Sequence, residues 1–163
     1  VSAIGVVDDV RNCVTMDLKQ RTGRVVLVRS NSTTDLSNLA ATARLLSFEI
    51  SRGKVLSAHD ASDGGVAVAA AEMCIASGLG LIVGAEHFMT DDAFAERPGQ
   101  YLLEVGAQAD ADALRTTLTG VASVDDFALI QHYRKLTVTT TKERVLEMSL
   151  EDLTAAWRGT LDW

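Results

Sequence analysis

The sequence predicts an α/β (α+β) domain whose mixed β-sheet is flanked by helices. Short β-branched apolar runs alternate with segments of helical period between Arg24 and Gly84. A single proline, Pro98, and an apolar content of 47% argue against a disordered or linker-rich chain. The 163 residues suffice for one sizeable core. Because strands and helices alternate from Arg24 to Gly84, we expect that parallel crossovers could form there.

The first strand and the first helix follow directly from the pattern. Arg24 to Arg29 is a β-branched apolar run of the kind that fills a covered strand. Helical period begins at Asp35, with Thr34 or Asp35 as N-cap and Gly53 as the C-terminal stop. The predicted apolar face of this helix comprises Leu36, Leu39, Ala40, Ala43, Leu46 and Ile50, and its predicted outward face comprises Arg44, Glu49 and Arg52.

The remaining elements are predicted in chain order. An alanine-rich helix begins near Val66, and its composition indicates that it is buried. Strands are expected at Leu79–Val83 and, after the Pro98-Gly99 turn, at Gln100–Val105, with a long loop from Ala85 to Arg97 between them. The later elements are a helix at Ala109–Leu118, strands at Ala128–Ile130 and Leu136–Val138, and a last helix with Ser149 and Asp152 as a capping box and an apolar stripe of Leu150, Leu153, Ala156 and Trp157.

Charge and composition exclude several classes of partner. Fifteen basic and 22 acidic residues give a formal charge of −7, which opposes nonspecific binding to nucleic acid or to an anionic membrane. No apolar run approaches the roughly 18 residues that span a bilayer. Val1 to Val7 lacks signal-peptide features and an initiator methionine, so we expect a cytoplasmic piece of a longer polypeptide. Cys13 and Cys74 lack the spacing of a metal site.

The run from Ser57 to Gly65 contains several residue types that are common in binding and catalytic sites. It places His59, the carboxylates of Asp60 and Asp63, a hydroxyl and a glycine pair between the apolar segment Lys54–Leu56 and the alanine-rich helix. A glycine turn that opens a buried helix presents unpaired N–H groups and the positive end of the helix dipole. The sequence therefore predicts that an anionic group binds at this turn.

The segment from Ser57 to Ala76 closely resembles the signature of phosphoribosylformylglycinamidine synthase, a purine-biosynthesis ligase of the aminoimidazole ribonucleotide (AIR) synthetase-like superfamily. Val1 to Lys19 is similar to the stretch that joins the ATP-binding domain of this family to its C-terminal domain. The resemblance thus implies that residues 1–19 end a preceding domain or linker and that residues 20–163 form the C-terminal α/β domain, with the AIR synthetase C-terminal fold. In this chain Ser30–Thr34 replaces a longer family segment that contains Gly-Gly-Ser.

The resemblance implies that the chain is one half of an active-site cleft. The family converts formylglycinamide ribonucleotide (FGAR) to formylglycinamidine ribonucleotide: ATP activates the formamide oxygen as an iminophosphate, and ammonia from glutamine displaces phosphate. Such chemistry depends on positioning and charge neutralisation. ATP and Mg²⁺ would be held mainly by the preceding domain, a glutaminase domain or subunit would supply ammonia, and a second copy would form a homodimer. The isolated chain is expected to be inactive.

The glycine turn would hold the ribose 5′-phosphate of the substrate. On this interpretation the N–H groups of Asp63, Gly64 and Gly65, together with the Ser62 hydroxyl, contact the phosphate. The alternative for the glycines is a close approach of helix and strand, and the alternative for Ser62 or Asp63 is that it is simply the N-cap. Replacing Ser62 by alanine and Gly65 by valine is expected to weaken substrate binding while the fold persists.

His59 and Asp60 are the candidate catalytic residues. His59 could donate to a phosphate oxygen or polarise the formamide, and its alternative is a satisfied structural histidine. Asp60 could bind Mg²⁺ or accept hydrogen bonds from the substrate, and its alternative is to fix the turn. Glu72 is predicted to be a buried, paired structural carboxylate. No role is assigned to His87, Arg97, His132 or Tyr133.

The shortened Ser30–Thr34 segment keeps an alternative function open. A ligand-facing loop that is shorter than in the family would suit a diverged, non-catalytic module that binds a ligand or another protein. The coding region upstream of Val1 distinguishes the two functions, because an ATP-binding domain there would indicate the ligase.

Overall fold

A mixed sheet of seven strands lies at the centre of the described chain, with helices on both faces, which confirms the predicted fold class. The computed structural model describes residues 6, 7, 9–89 and 91–159. The strands are β1 (Gly23–Ser30), β2 (Ser57–Asp60), β3 (Gly80–Gly84), β4 (Gln100–Val105), β5 (Ala122–Gln131), β6 (Lys135–Thr139) and β7 (Arg144–Ser149). The helices are α1 (Leu36–Ser51), α2 (Gly65–Ser77), α3 (Ala85–Phe88), α4 (Gln108–Thr117) and α5 (Leu150–Gly159), with short 3₁₀ turns at Val10–Asn12 and Asp91–Phe94.

The sheet has the strand order β2-β4-β1-β5-β3-β6-β7. Strands β1, β2 and β3 run in the same direction, but antiparallel β4 and β5 lie between them. The predicted crossovers between Arg24 and Gly84 therefore connect strands that are parallel without being hydrogen-bonded neighbours. Within the described residues the parallel pair is β3 with β6.

Strand β1 is buried on both sides, as its unbroken apolar run predicts. Each residue from Val25 to Val28 is 0% exposed. Val25 and Leu27 pack in the cluster that contains the apolar side of α2, whereas Val26 and Val28 pack in the cluster that contains α1 and α4. The sheet thus separates two cores, and α2 lies in one of them, as its alanine-rich composition predicts. No helix of the described residues is long and apolar enough to cross a membrane.

Helix α1 buries a different stripe from the predicted one. Its N-cap is Asp35, whose carboxylate accepts the Ser37 N–H at 2.8 Å. The prediction that Glu49 faces outward is wrong: the side chain is 0% exposed, and Oε1 accepts the Thr117 hydroxyl of α4 at 2.8 Å. Leu36, predicted on the apolar face, is 79% exposed. Which stripe is buried depends on the position of α4 beside α1, and the helical period of α1 alone cannot predict that position.

Two further elements depart from the sequence-based expectation. The predicted loop from Ala85 to Arg97 contains α3 and the 3₁₀ turn. The turn packs against α2, and α3 packs against β3, β6 and the turn. Strand β7 was not predicted, because as an edge strand it leaves Val145 and Leu146 42% and 38% exposed and lacks a clear alternation. The N-cap bond of the predicted capping box of α5 is confirmed, since the Asp152 N–H donates to the Ser149 hydroxyl at 3.0 Å. The Asp152 carboxylate accepts the Ser149 hydroxyl at 2.7 Å.

The segment before β1 is tied to the β2 edge of the sheet. The Thr15 carbonyl accepts the Ala58 N–H at 3.1 Å. The carboxylate of Glu104, which is 0% exposed, accepts the N–H groups of Lys19 at 2.8 Å and Gln20 at 2.9 Å. These contacts hold residues 15–20 beside the strand that leads into the glycine turn. The domain boundary between residues 19 and 20 stays a prediction.

Candidate functional site

The glycine turn connects the end of β2 to the first residue of α2. Gly64 and Gly65 have φ values of 78° and 66°, in the left-handed region that favours glycine. A Cβ on Gly65 would lie 2.7 Å from the Ala93 carbonyl oxygen and 2.8 Å from the Phe94 carbonyl carbon. A close approach does occur, but it is with the backbone of the 93–95 segment, the end of a 3₁₀ turn and the residue after it, and not with a strand as the alternative expected. A Gly65→Val variant should therefore be destabilised, which counts against the expectation that its fold persists.

An acidic side chain already occupies part of the turn. The Gly64 N–H donates to Glu96 Oε1 at 3.1 Å, and the Gly65 N–H donates to the Ser62 carbonyl at 3.0 Å. The N-cap of α2 is Gly64, and neither Ser62 nor Asp63 makes a side-chain cap bond, so the N-cap alternative is wrong. Glu96 lies 32 residues from Gly64, which explains why local sequence patterns do not reveal it. The turn binds a carboxylate, as an anion-binding turn can.

Asp60 and Ser62 form a local pair at the rim of the turn. The Ser62 hydroxyl donates to Asp60 Oδ2, and Asp60 is 64% exposed. This hydrogen bond holds the pKa of the Asp60 carboxyl below its usual range, against the opposing effect of partial burial. The pair supports the expectation that Asp60 helps to fix the turn. To donate to a phosphate, the Ser62 hydroxyl must turn away from Asp60.

His59 points from β2 toward α2 and has a carboxylate partner there. Its Nε2 lies 2.8 Å from Glu72 Oε2, and its Nδ1 lies 3.6 Å from Asp60 Oδ1. The second Glu72 oxygen, Oε1, accepts the Trp157 Nε1–H at 3.3 Å. Glu72 is thus paired as predicted, but with 28% of its side chain exposed it is not fully buried.

A groove of about 770 Å³ runs from the turn along the outer part of the sheet. Its floor is apolar and comes from Ala58, Leu103 and the α1 residues Leu46 and Ile50. Burial, together with the Asp60 carboxylate, raises the pKa of Tyr101 in its wall. The charged residues around the groove are Asp60, Asp63, Glu96 and Arg97. Arg97, to which the sequence pattern assigns no role, forms an ion pair with Asp92.

Two neighbouring features bear on what the groove can hold. The Ser30 N–H donates to the carbonyl of Gly99, a groove residue, at 2.8 Å, so the Ser30–Thr34 segment lies beside the groove. The described residues contain no group of three or more His, Cys, Asp or Glu side chains that could hold a metal ion. The magnesium role of Asp60 stays a prediction.

Residues 26–125 match the family described as AIR synthase related protein, C-terminal domain. The chain belongs to this family. It is 21% identical, over its full length, to the phosphoribosylformylglycinamidine synthase subunit PurL of Thermoanaerobacter pseudethanolicus, and covers 25% of that relative. It is 39% identical over 115 residues to PurL of Chelativorans sp., an alignment that covers 68% of this chain and 15% of the relative.

The fold of this AIR synthase related domain is similar to part of Thermotoga maritima PurL. The structure of that protein complexed with FGAR has a TM-score of 0.72 and 15% identity, and the match covers 88% of this chain and 30% of that one. The ATP complex has a TM-score of 0.69 and 17% identity, with coverages of 88% and 27%. The chain thus spans about a quarter of its first curated relatives, and the resemblance to the C-terminal domain of this synthase family is confirmed.

Proposed function

We propose that this chain is the substrate-binding C-terminal domain of a phosphoribosylformylglycinamidine synthase, which converts FGAR to formylglycinamidine ribonucleotide with ATP and glutamine. The observation that carries the proposal is the groove with an anion-binding glycine turn at one end. The PurL relatives support the choice of enzyme, and the T. maritima protein complexed with FGAR supports the choice of ligand.

Different parts of the substrate would contact different residues of the groove. The N–H groups of Asp63, Gly64 and Gly65 and the Ser62 hydroxyl would hold the 5′-phosphate once Glu96 moves away from the Gly64 N–H. The apolar floor suits the less polar body of the ligand. His59 and Asp60, next to the turn, would face the reacting end of the substrate.

The charge around the turn supports the proposal that this domain acts together with partners. Asp60, Asp63 and Glu96 oppose a phosphate dianion, and Arg97 is engaged with Asp92. Mg²⁺ and ATP would be held mainly by the preceding domain, with Asp60 as a magnesium ligand. A glutaminase domain or subunit would supply ammonia, and a second copy would complete a homodimer in the cytoplasm. Alone, the chain would bind substrate without turnover.

Opposite changes in FGAR affinity are expected from two substitutions at the turn. Ser62→Ala removes a hydroxyl donor to the phosphate and should weaken binding by about tenfold. Glu96→Gln removes the carboxylate that competes for the Gly64 N–H and should tighten binding by about fivefold, or roughly 1 kcal/mol. Isothermal titration calorimetry of the chain with FGAR measures both effects.

Glu143→Gln is the matched control for the loss of one negative charge. Glu143 lies between β6 and β7, and β7 is at the opposite edge of the sheet from β2. This variant should bind FGAR as the unmodified chain does. Unchanged affinity in both Ser62→Ala and Glu96→Gln would reject the turn as the phosphate site.

A further inference from the structure

A continuous series of polar contacts joins the last helix to the glycine turn. Trp157 of α5 donates to one oxygen of Glu72, and the other oxygen lies 2.8 Å from His59 Nε2. The opposite nitrogen of His59 faces Asp60, which holds the Ser62 hydroxyl. Three of these five residues, His59, Asp60 and Ser62, belong to the Ser57–Gly65 run. The other two come from α2 and α5, outside the predicted site.

The carboxylate of Glu72 determines where the imidazole proton lies. An ionised carboxylate only accepts hydrogen bonds, so His59 Nε2 must carry the hydrogen that it donates to Glu72. In the neutral imidazole, Nδ1 then has a lone pair. The 3.6 Å from Nδ1 to Asp60 Oδ1 is too long for a hydrogen bond. His59 is among the residues that line the groove, and Nδ1 is the ring nitrogen that does not contact Glu72.

We propose that Glu72 is a positioning residue that acts through His59. It holds the imidazole in the Nε2–H form and directs Nδ1 toward the groove, where it accepts a hydrogen bond from an N–H or O–H group of the ligand. Trp157 holds the second oxygen of Glu72 and so connects α5 to the site. Only the identity of the ligand as FGAR rests on the proposed function. The assignment makes His59 an acceptor and excludes donation from Nδ1 of the neutral ring to a phosphate oxygen.

Nitrogen-15 NMR of the imidazole rings tests the positioning without any ligand. At a pH of about 9, where imidazole is ordinarily neutral, the chain should show His59 as a single Nε2–H tautomer, assigned with a His59→Ala variant. Glu72→Met removes both acceptor oxygens and keeps a flexible chain that suits the adjoining apolar pocket of Ala71, Ile75 and Leu153. We expect a mixture of tautomers in this variant. Glu72→Gln, which retains one acceptor oxygen, should restore most of the Nε2–H form.

The control is Glu151→Met, which removes a glutamate of α5 whose partner is Arg134. It should leave the His59 tautomer unchanged. A single Nε2–H tautomer in Glu72→Met would overturn the proposal, as would a mixture of tautomers in the unmodified chain. Both outcomes can be measured whether or not the chain binds FGAR.

A double-mutant cycle then tests the consequence for the ligand. Glu72→Met should weaken FGAR binding by about tenfold, as loss of a residue that orients a functional histidine commonly does. In a His59→Ala background the same substitution should change affinity by less than about twofold, because Glu72 acts through His59. Equal losses in the two backgrounds would contradict the positioning role. An unmodified chain that does not bind FGAR would contradict the proposed function and leave the tautomer result standing.

Discussion

A Gly65→Ala variant is expected to lose about 3–5 kcal/mol of its free energy of unfolding. Two costs add: the left-handed φ of 66° disfavours any Cβ, and that Cβ would lie within 2.9 Å of three backbone atoms of the 93–95 segment. Backbone atoms cannot rotate away as the end of a flexible side chain can. Urea denaturation followed by circular dichroism measures the loss.

Gly53→Ala is the matched control. Gly53 has a φ of 70°, close to that of Gly65, but a Cβ there would meet no atom within 4 Å. It should lose only about 1–2 kcal/mol, the cost of the left-handed conformation. The difference between the two variants therefore measures the contact between the turn and the 93–95 segment. Equal losses would show that this contact does not exist in solution.

Glu104→Gln is expected to lower the free energy of unfolding by about 2–4 kcal/mol. Both oxygens of the buried carboxylate accept backbone N–H groups, those of Lys19 and Gln20. An amide places a donor against one of these donors, so two buried polar groups lose their partners. Chemical denaturation measures the loss, and hydrogen exchange should show faster exchange at Lys19 and Gln20.

Glu151→Gln is the matched control for Glu104→Gln. A Glu151→Gln variant, which removes a charge from an exposed ion pair with Arg134, should change the free energy of unfolding by less than about 1 kcal/mol. If Glu104→Gln is no more damaging than this control, Glu104 does not hold the segment before β1 in place.

The parts of the fold that are predictable from sequence are those with local causes. The apolar run of β1, the apolar strand β4 after the Pro98-Gly99 turn and the alanine-rich α2 each have a local pattern that needs no distant partner. The strand order cannot be predicted in this way, because β4 and β5 lie beside β1 through long-range pairing. For the same reason the burial of Glu49 depends on Thr117 of α4, a partner 68 residues away.

The same distinction between local causes and distant partners applies to the candidate site. The turn from Asp60 to Gly65 follows from its own residues, since glycine conformations and the Asp60–Ser62 pair are local. The contact of Glu96 with Gly64 and that of Glu72 with His59 join separate elements. Helical periodicity indicates that Glu72 is an isolated charge in an apolar helix, but only the position of β2 beside α2 shows that its partner is His59.

The central claim is that the glycine turn holds the 5′-phosphate of FGAR. Amide NMR of the chain tests it most directly, with FGAR in one titration and the corresponding nucleoside, which lacks the phosphate, in the other. We expect FGAR to produce its largest shifts at the N–H groups of Asp63, Gly64 and Gly65, and the nucleoside to leave these three signals nearly unchanged. Equal shifts with both ligands, or the largest shifts outside the turn and groove, would contradict the claim.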